Sequence, residues 1–368
     1  MEMTDLGIGR TEDCFFPNEA VRLAAARVLT PENRYAFQYA PSEGLTAMRE
    51  ELARYLSERT GREVCAENLL MTNGASHALE LILKKLVPAG SAVAVDDPTY
   101  FFALNILRDW DIDLRPIPVR SDGLDLECLE HEIRTRDVKM LYTIPIHHNP
   151  TGTMFSRENR DGIVALAERY GVIVASDEVY QFVGEAVQES LFAGNESNIL
   201  SIGSFAKTLG SGVRTGWIHG PKPLIDRLAT CGVLISGGGV APVMSLVLSD
   251  MLASGAADEV LASLNAVYDA RRRALSAVLE RELPEEIRFI APSGGFFCWL
   301  EAPEDLDMRA VLGEAQRRGV SFRLGSECSS VGNFANCMRL GFSYYEEARL
   351  EAAGKILCDV LREALTGR

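Results

Sequence analysis

Lys207 stands in the stretch Ser204-Phe205-Ala206-Lys207-Thr208-Leu209-Gly210-Ser211-Gly212-Val213-Arg214, directly after the apolar run Ile199-Leu200-Ser201-Ile202. A lysine on a tight, glycine-rich connection can be desolvated and held still, and an amine that forms an imine needs both. Ser204 offers a hydroxyl and Arg214 a guanidinium, and the two together could hold a phosphate beside that amine. A Schiff-base lysine next to a phosphate cradle suggests pyridoxal 5'-phosphate (PLP).

Other positions carry chemistry of the same kind, each with a plainer reading beside it. Asp177 closes the apolar run Val172-Ile173-Val174-Ala175. It could cap a helix, or it could pair with a protonated pyridine nitrogen and keep that ring an electron sink. Tyr180 lies three residues on and could hydrogen-bond the ring's phenolate oxygen. Asn149, in the turn Asn149-Pro150-Thr151-Gly152, could donate its amide to the same oxygen. Gly74-Ala75-Ser76 opens a helix, where small residues either cap it or leave N–H groups free for an anion. Tyr100 could stack on a planar ring or pack in the core with Phe101 and Phe102. Arg339 sits between Met338 and Leu340, and a buried arginine needs a partner: a substrate carboxylate, or a structural salt bridge.

The elements that position these residues follow from hydrophobic period. Helical patterns cover 45–60, 76–86 and 157–170; short apolar strands cover 93–95, 140–144, 172–175, 199–202 and 216–219. Short apolar runs between helices predict an α/β unit with a mostly parallel sheet covered on both faces. Beyond about residue 250 the pattern changes. A long helix over 258–283 carries Arg271-Arg272-Arg273 on a face expected to be solvated. Strands near 289–290, 296–300 and 338–340 and helices near 308–318 and 345–365 read as a smaller α+β unit. The expected division is 1–43 as an irregular segment packing with the small unit, 44–250 as the large unit, and 251–368 as the small one.

The formal charge is 37 − 52 = −15, which argues against a nucleic-acid or anionic-membrane binder. No run approaches the ~20 apolar residues of a membrane span, and the acidic start Met1-Glu2-Met3-Thr4-Asp5 lacks a signal peptide's pattern. The 8 cysteines are scattered without a CxxC pair, as free thiols of a cytoplasmic protein would be, and the histidines show no metal-ligand spacing.

The order NPTG, Asp-x-x-Tyr, Ser-x-x-Lys, Arg and a late-strand Arg resembles the class I/II aminotransferases, the fold-type-I PLP enzymes. The Gln38-Tyr39-Ala40-Pro41-Ser42-Glu43-Gly44 and Arg214-Thr215-Gly216-Trp217 segments look most like the aminoadipate and aromatic aminotransferase branch. The resemblance implies transfer of an amino group between an L-amino acid and a 2-oxo acid, with Lys207 forming the Schiff base and shuttling the proton. It implies Asp177 on the pyridine nitrogen, Asn149 and Tyr180 on the phenolate oxygen, and Tyr100 on the ring. Ser204, Arg214 and Gly74-Ala75-Ser76 would bind phosphate, while Arg339 and the Gly7 backbone would bind substrate. It further implies a homodimer in which Tyr39 reaches the neighbouring subunit's phosphate.

Three features depart from the family. His147-His148 precedes Asn149, and these histidines could contact substrate, act as acid or base, or only pack. The Ser236-Gly237-Gly238-Gly239 loop has no arginine for a second carboxylate, which weakens an aspartate- or glutamate-specific reading, although Arg10 could substitute. The segment before Gly7 is short. The histidine pair and the glycine-rich loop keep elimination, replacement or cyclisation as alternatives on the same cofactor. A DNA-binding regulator with this fold would need a basic domain ahead of Gly44, and the 43 residues there are not basic.

Overall fold

The computed structural model describes residues 3–194 and 196–367. An eight-stranded sheet runs in the order Leu69–Thr72, Gly216–His219, Ile199–Ser204, Ile173–Asp177, Val138–Thr143, Ala92–Asp97, Asp113–Arg120, Gly123–Leu124. The five strands from Ile199–Ser204 to Asp113–Arg120 are parallel neighbours, while Gly216–His219 and Gly123–Leu124 run against theirs. The central strands are buried on both faces, which is why they read as unbroken apolar runs.

Helix boundaries follow local chemistry. Ser156 accepts from the Asn159 N–H to start Arg157–Tyr170, and Gly171, in the left-handed region at φ 68°, ends it. Asp125 caps Leu126–Arg136 in the same way. The two faces of the sheet carry separate cores. One joins Val93, Val95 and Tyr142 to Ala75–Leu86 and Phe101–Arg108; the other joins Ala94, Leu141 and Val174 to Leu126–Arg136 and Arg157–Tyr170. Parallel strands thus end together, at the edge where α/β proteins hold ligands.

A second, antiparallel sheet runs in the order Arg288–Phe289, Phe297–Glu301, Cys337–Gly341, Arg323–Leu324 and packs on Ala256–Glu282, Met308–Arg317 and Glu347–Thr366. Arg339 lies mid-strand in it. The two sheets meet where Gly184 pairs with Gly294.

The structure corrects two expectations. The described part of the first segment, residues 3–43, is not irregular: Thr4–Asp5 pairs with Val320–Ser321, and a helix spans Asn18–Val28. That helix packs with Pro242–Ala253, not with the small sheet. Nor is the Arg271-Arg272-Arg273 run solvated. Successive helical residues turn by about 100°, so three in a row cannot share one face. Arg271 is 3% exposed; it donates to the carbonyls of Ser343 (2.8 Å) and Tyr344 (3.0 Å) and pairs with Glu12. Arg272 reaches the Pro292 carbonyl at 2.9 Å, and only Arg273, at 66% side-chain exposure, stands in water.

Stripping a buried ion pair of one partner costs far more than losing a surface one. Arg271→Met should therefore lower unfolding stability by about 3 kcal/mol, whereas Arg273→Met should change it by less than about 1 kcal/mol. Urea titration of both variants checks this, and equal midpoints would contradict the anchoring role of Arg271.

Candidate active site

A cavity of about 200 Å³ opens at the C-terminal ends of the parallel strands. Ala75, Ser76, Tyr100, Asn149, Asp177, Tyr180, Ser204, Lys207 and Arg214 all line it, so residues spread over 140 positions converge. Its two ends differ in charge. One holds Arg214, Ser204 and the first turn of Ala75–Leu86, whose leading N–H groups have no helical partner. Arg214 is held there by the carbonyls of Asn73 (2.8 Å) and Ser211 (3.2 Å), with no carboxylate among the described residues to neutralise it. A Cβ on Gly74 would lie 2.8 Å from the Arg214 guanidinium, and its φ of +84° suits only glycine, so this close approach requires that residue.

The other end holds Asp177. Burial pushes its carboxyl up; donation from the Tyr142 hydroxyl (2.8 Å), the long Val179 N–H contact (3.4 Å) and attraction to Lys207 pull it back. Between the ends lies Lys207, its Nζ donating to the Gly9 carbonyl at 3.2 Å and lying 5.4 to 5.6 Å from the ring centroids of Phe296 and Tyr180. Burial lowers this amine to about 8; Asp177 opposes the shift and Arg339 adds to it.

Arg339 is buried without a carboxylate partner among the described residues. It donates to Asn149 Oδ1 (2.9 Å) and to the Gly7 carbonyl (2.7 Å), and its guanidinium lies 4.0 Å from the Phe297 ring centroid. Its Nε has no hydrogen-bond partner among the described residues. Burial lowers its hold on the proton, which an anion arriving beside it would restore. Because Asn149 spends its oxygen on Arg339, its Nδ2 remains as the donor toward the cavity. The hydroxyls of Tyr100 and Tyr180 line the same space, and burial pushes Tyr100 up to about 12, so both stay protonated.

Of the predicted site residues, Gly7, Gly74, Arg339 and His148 are not among those lining this cavity. Arg339 and Gly74 touch its lining at Asn149 and Arg214, and Gly7 touches Arg339, but His148 turns away, which corrects its reading as a substrate contact. The turn at Asn149 sends the two side chains opposite ways. His148 is fully buried, with Nδ1 2.8 Å from Thr151 Oγ1 and Nε2 3.3 Å from Asp96 Oδ2. His147, at φ +46°, packs against Gly184, Gly294 and Gly295 where the sheets meet, and burial lowers it to about 4, leaving it neutral. Tyr39 is also remote from its own chain's cavity: it is 83% exposed and lies against Gly237. Sequence reasoning missed Tyr142, the Gly9 carbonyl and Phe297, which act through cross-strand and long-range contacts.

The donor set suits PLP. An anion-binding end, a buried carboxylate, a partly neutralised amine between them and amide and phenol donors along one wall match its phosphate, ring nitrogen, aldehyde and phenolate oxygen.

Comparison with known proteins agrees. The family described as aminotransferase class I and II matches residues 2–356. An aromatic-amino-acid aminotransferase of Thermococcus litoralis is 28% identical over 95% of this chain and 86% of its own, and a 2-aminoadipate transaminase of Thermus thermophilus is 29% identical over 89% and 82%. The crystal structure of a Pyrococcus horikoshii kynurenine aminotransferase is 27% identical and superposes with a TM-score of 0.91 over 99% of this chain and 92% of that one.

The lowered Lys207 sets a pH dependence. Below about pH 8 the amine is an ammonium and cannot attack a carbonyl; above it the amine is free, while exposed lysines near 10.5 remain charged. In the cofactor-free protein, aldehyde capture at Lys207 should rise with a midpoint near pH 8. Asp177→Asn, which removes an attractive charge, should lower that midpoint further. A midpoint near 10.5, read by borohydride trapping and peptide mass, would contradict the burial argument.

Proposed function

The chain belongs to the aminotransferase class I and II family, and from that premise we propose how its own residues perform amino-group transfer at the Lys207 cavity. It is a PLP-dependent aminotransferase, acting between an L-amino acid and a 2-oxo acid. The elimination, replacement and cyclisation alternatives find no support among its relatives. Bound PLP supplies an electron-withdrawing ring that takes up the charge left when the substrate α-carbon loses its proton.

The single observation that carries the assignment of roles is Arg339, a buried cation with no carboxylate among the described residues. A substrate α-carboxylate fits its planar fork and the Gly7 carbonyl flanks it. The α-carbon of a substrate so gripped would lie on the side of Lys207. Lys207 Nζ, its hold on a proton lowered by burial to about 8, is suited to remove and return that proton. Asp177 would hold the ring nitrogen charged. Asn149 and Tyr180 would donate to the phenolate oxygen, and Tyr100 would cover the ring face. Arg214, Ser204 and the first turn of Ala75–Leu86 would hold the phosphate.

Residues 44–250 would then supply the cofactor's partners, 251–368 the carboxylate-binding Arg339, and 1–43 a strap touching both. Exposure of Tyr35, Phe37 and Tyr39 beside the Gly237–Val243 groove supports a homodimer paired over this face, with Tyr39 serving the partner's phosphate end. Eight cysteines left as thiols, two of them exposed, support a cytoplasmic setting.

Purified protein with PLP is expected to convert phenylalanine, kynurenine or 2-aminoadipate to the 2-oxo acid while the cofactor becomes pyridoxamine phosphate, with the aldehyde form restored by added 2-oxoglutarate. Absorbance and product mass follow both halves. Release of ammonia or a side-chain fragment without pyridoxamine phosphate would contradict transamination.

A further inference from the structure

Tyr142 has no part in the amino-transfer roles proposed above, yet it makes the shortest hydrogen bond to the buried carboxylate at the centre of the site. It lies in Val138–Thr143, in parallel register opposite Ala175 of Ile173–Asp177. Residues two apart on a strand share a face, so Ala175 and Asp177 point the same way, and the phenol lies along that face to reach Asp177. Its Oη donates to Asp177 Oδ2 at 2.8 Å. The side chain is 1% exposed, and the strand fixes where its hydroxyl sits. The next residues pin that strand end: the Thr143 hydroxyl and the Ile144 N–H both donate to Asp96 Oδ2, at 3.2 and 2.8 Å.

We propose that Tyr142 is a positioning residue: it occupies Oδ2 of Asp177, keeps the carboxylate ionised, and leaves Oδ1 to face a protonated ring nitrogen. The inference rests on the cofactor reading of this cavity. Among the described residues Oδ1 has only the Val179 N–H, 3.4 Å away, so it is the less committed oxygen. A hydroxyl donor favours the charged form of its acceptor and thus opposes the protonation that burial promotes. An Asp177 that kept its own proton could not attract one on the ring. Tyr142 cannot trade roles with Asp177, because burial and the adjacent carboxylate hold the phenol's proton well beyond the ordinary tyrosine range. The competing account is a core aromatic, since the ring also packs with Met140, Ile144 and Ala175. Phenylalanine separates the two, because it keeps the packing and removes only the hydroxyl.

The test measures kcat, KM and the dissociation constant of pyridoxamine 5'-phosphate for wild type, Tyr142→Phe, Asp177→Asn and the double variant. A hydrogen bond to a charged group predicts that Tyr142→Phe loses about ten- to a hundredfold in kcat and weakens pyridoxamine phosphate roughly tenfold, with KM for the amino acid within about twofold. In the Asp177→Asn background the same change should move the dissociation constant by less than about twofold, because its target is already gone. Wild-type kcat and cofactor affinity in Tyr142→Phe would overturn the proposal, and so would a full-sized effect in the Asp177→Asn background. If Tyr142→Phe alone folds poorly, the double variant decides, since residue 177 then carries no buried charge: affinity matching Asp177→Asn supports the proposal and a further large loss overturns it. Failure of the wild type itself to bind pyridoxamine phosphate would instead remove the cofactor reading.

Discussion

Lys207, Arg339 and Asp177 are withdrawn from water at one place, and burial works against the charge on each. Lys207 yields in part, holding its proton only to about pH 8. Asp177 also yields in part, its carboxyl pushed up by burial against the pull of two donors and the nearby ammonium. Arg339 receives an amide oxygen, a carbonyl and an aromatic face, none of which cancels its charge. With Arg214 at the far end, the cavity carries a local excess of positive charge inside a chain of net charge −15. An anionic ligand completes such a site, and two anionic groups, a phosphate and a carboxylate, complete it at both ends.

The fold exists to hold those charges in place. Parallel strands ending together deliver Asp177, Ser204 and the Asn149 turn from one side, and the antiparallel sheet delivers Arg339 from the other. The strap from Thr4 to Phe16 joins them. Its Gly7 carbonyl takes Arg339 and its Gly9 carbonyl takes Lys207. It runs so close to the small sheet that a Cβ on Gly341 would lie 2.2 Å from the Ile8 carbonyl, and one on Gly9 2.5 Å from the Phe297 ring. The Thr11–Tyr268 hydroxyl contact at 2.6 Å and the Glu12–Arg271 ion pair tie the strap to the long helix. The misread arginine is therefore part of what places the wall of the site.

Most of the cofactor site was legible because its residues fall at the ends of apolar strands, where local pattern and position agree. Asp177, Asn149, Tyr180, Ser204, Lys207 and Arg214 all belong to such ends, and all reach the cavity. What was not legible depends on direction or register. His148 adjoins Asn149 in sequence but turns to Asp96 in space, and no spacing rule reveals that. Tyr142 reads as another buried strand aromatic until its register with Ala175 is known. The strand Asp113–Arg120 was hidden by Pro116 and Pro118, tolerated next to the short terminal strand of the sheet. The helix Asn18–Val28 does show Val21, Ala24, Ala25 and Val28 at helical spacing, but alanine is too weakly apolar to mark a buried face by itself.

The central claim is that one cavity holds PLP between Lys207, Asp177 and the Arg214 end, with Arg339 beside it. A crystal structure of the protein grown with PLP tests this most directly. The account predicts continuous density from Lys207 Nζ to the cofactor, the ring nitrogen against Asp177, and the phosphate against Arg214 and Ser204. Cofactor density joined to another lysine, or a ring turned so that its phosphate meets Asp177, would contradict it.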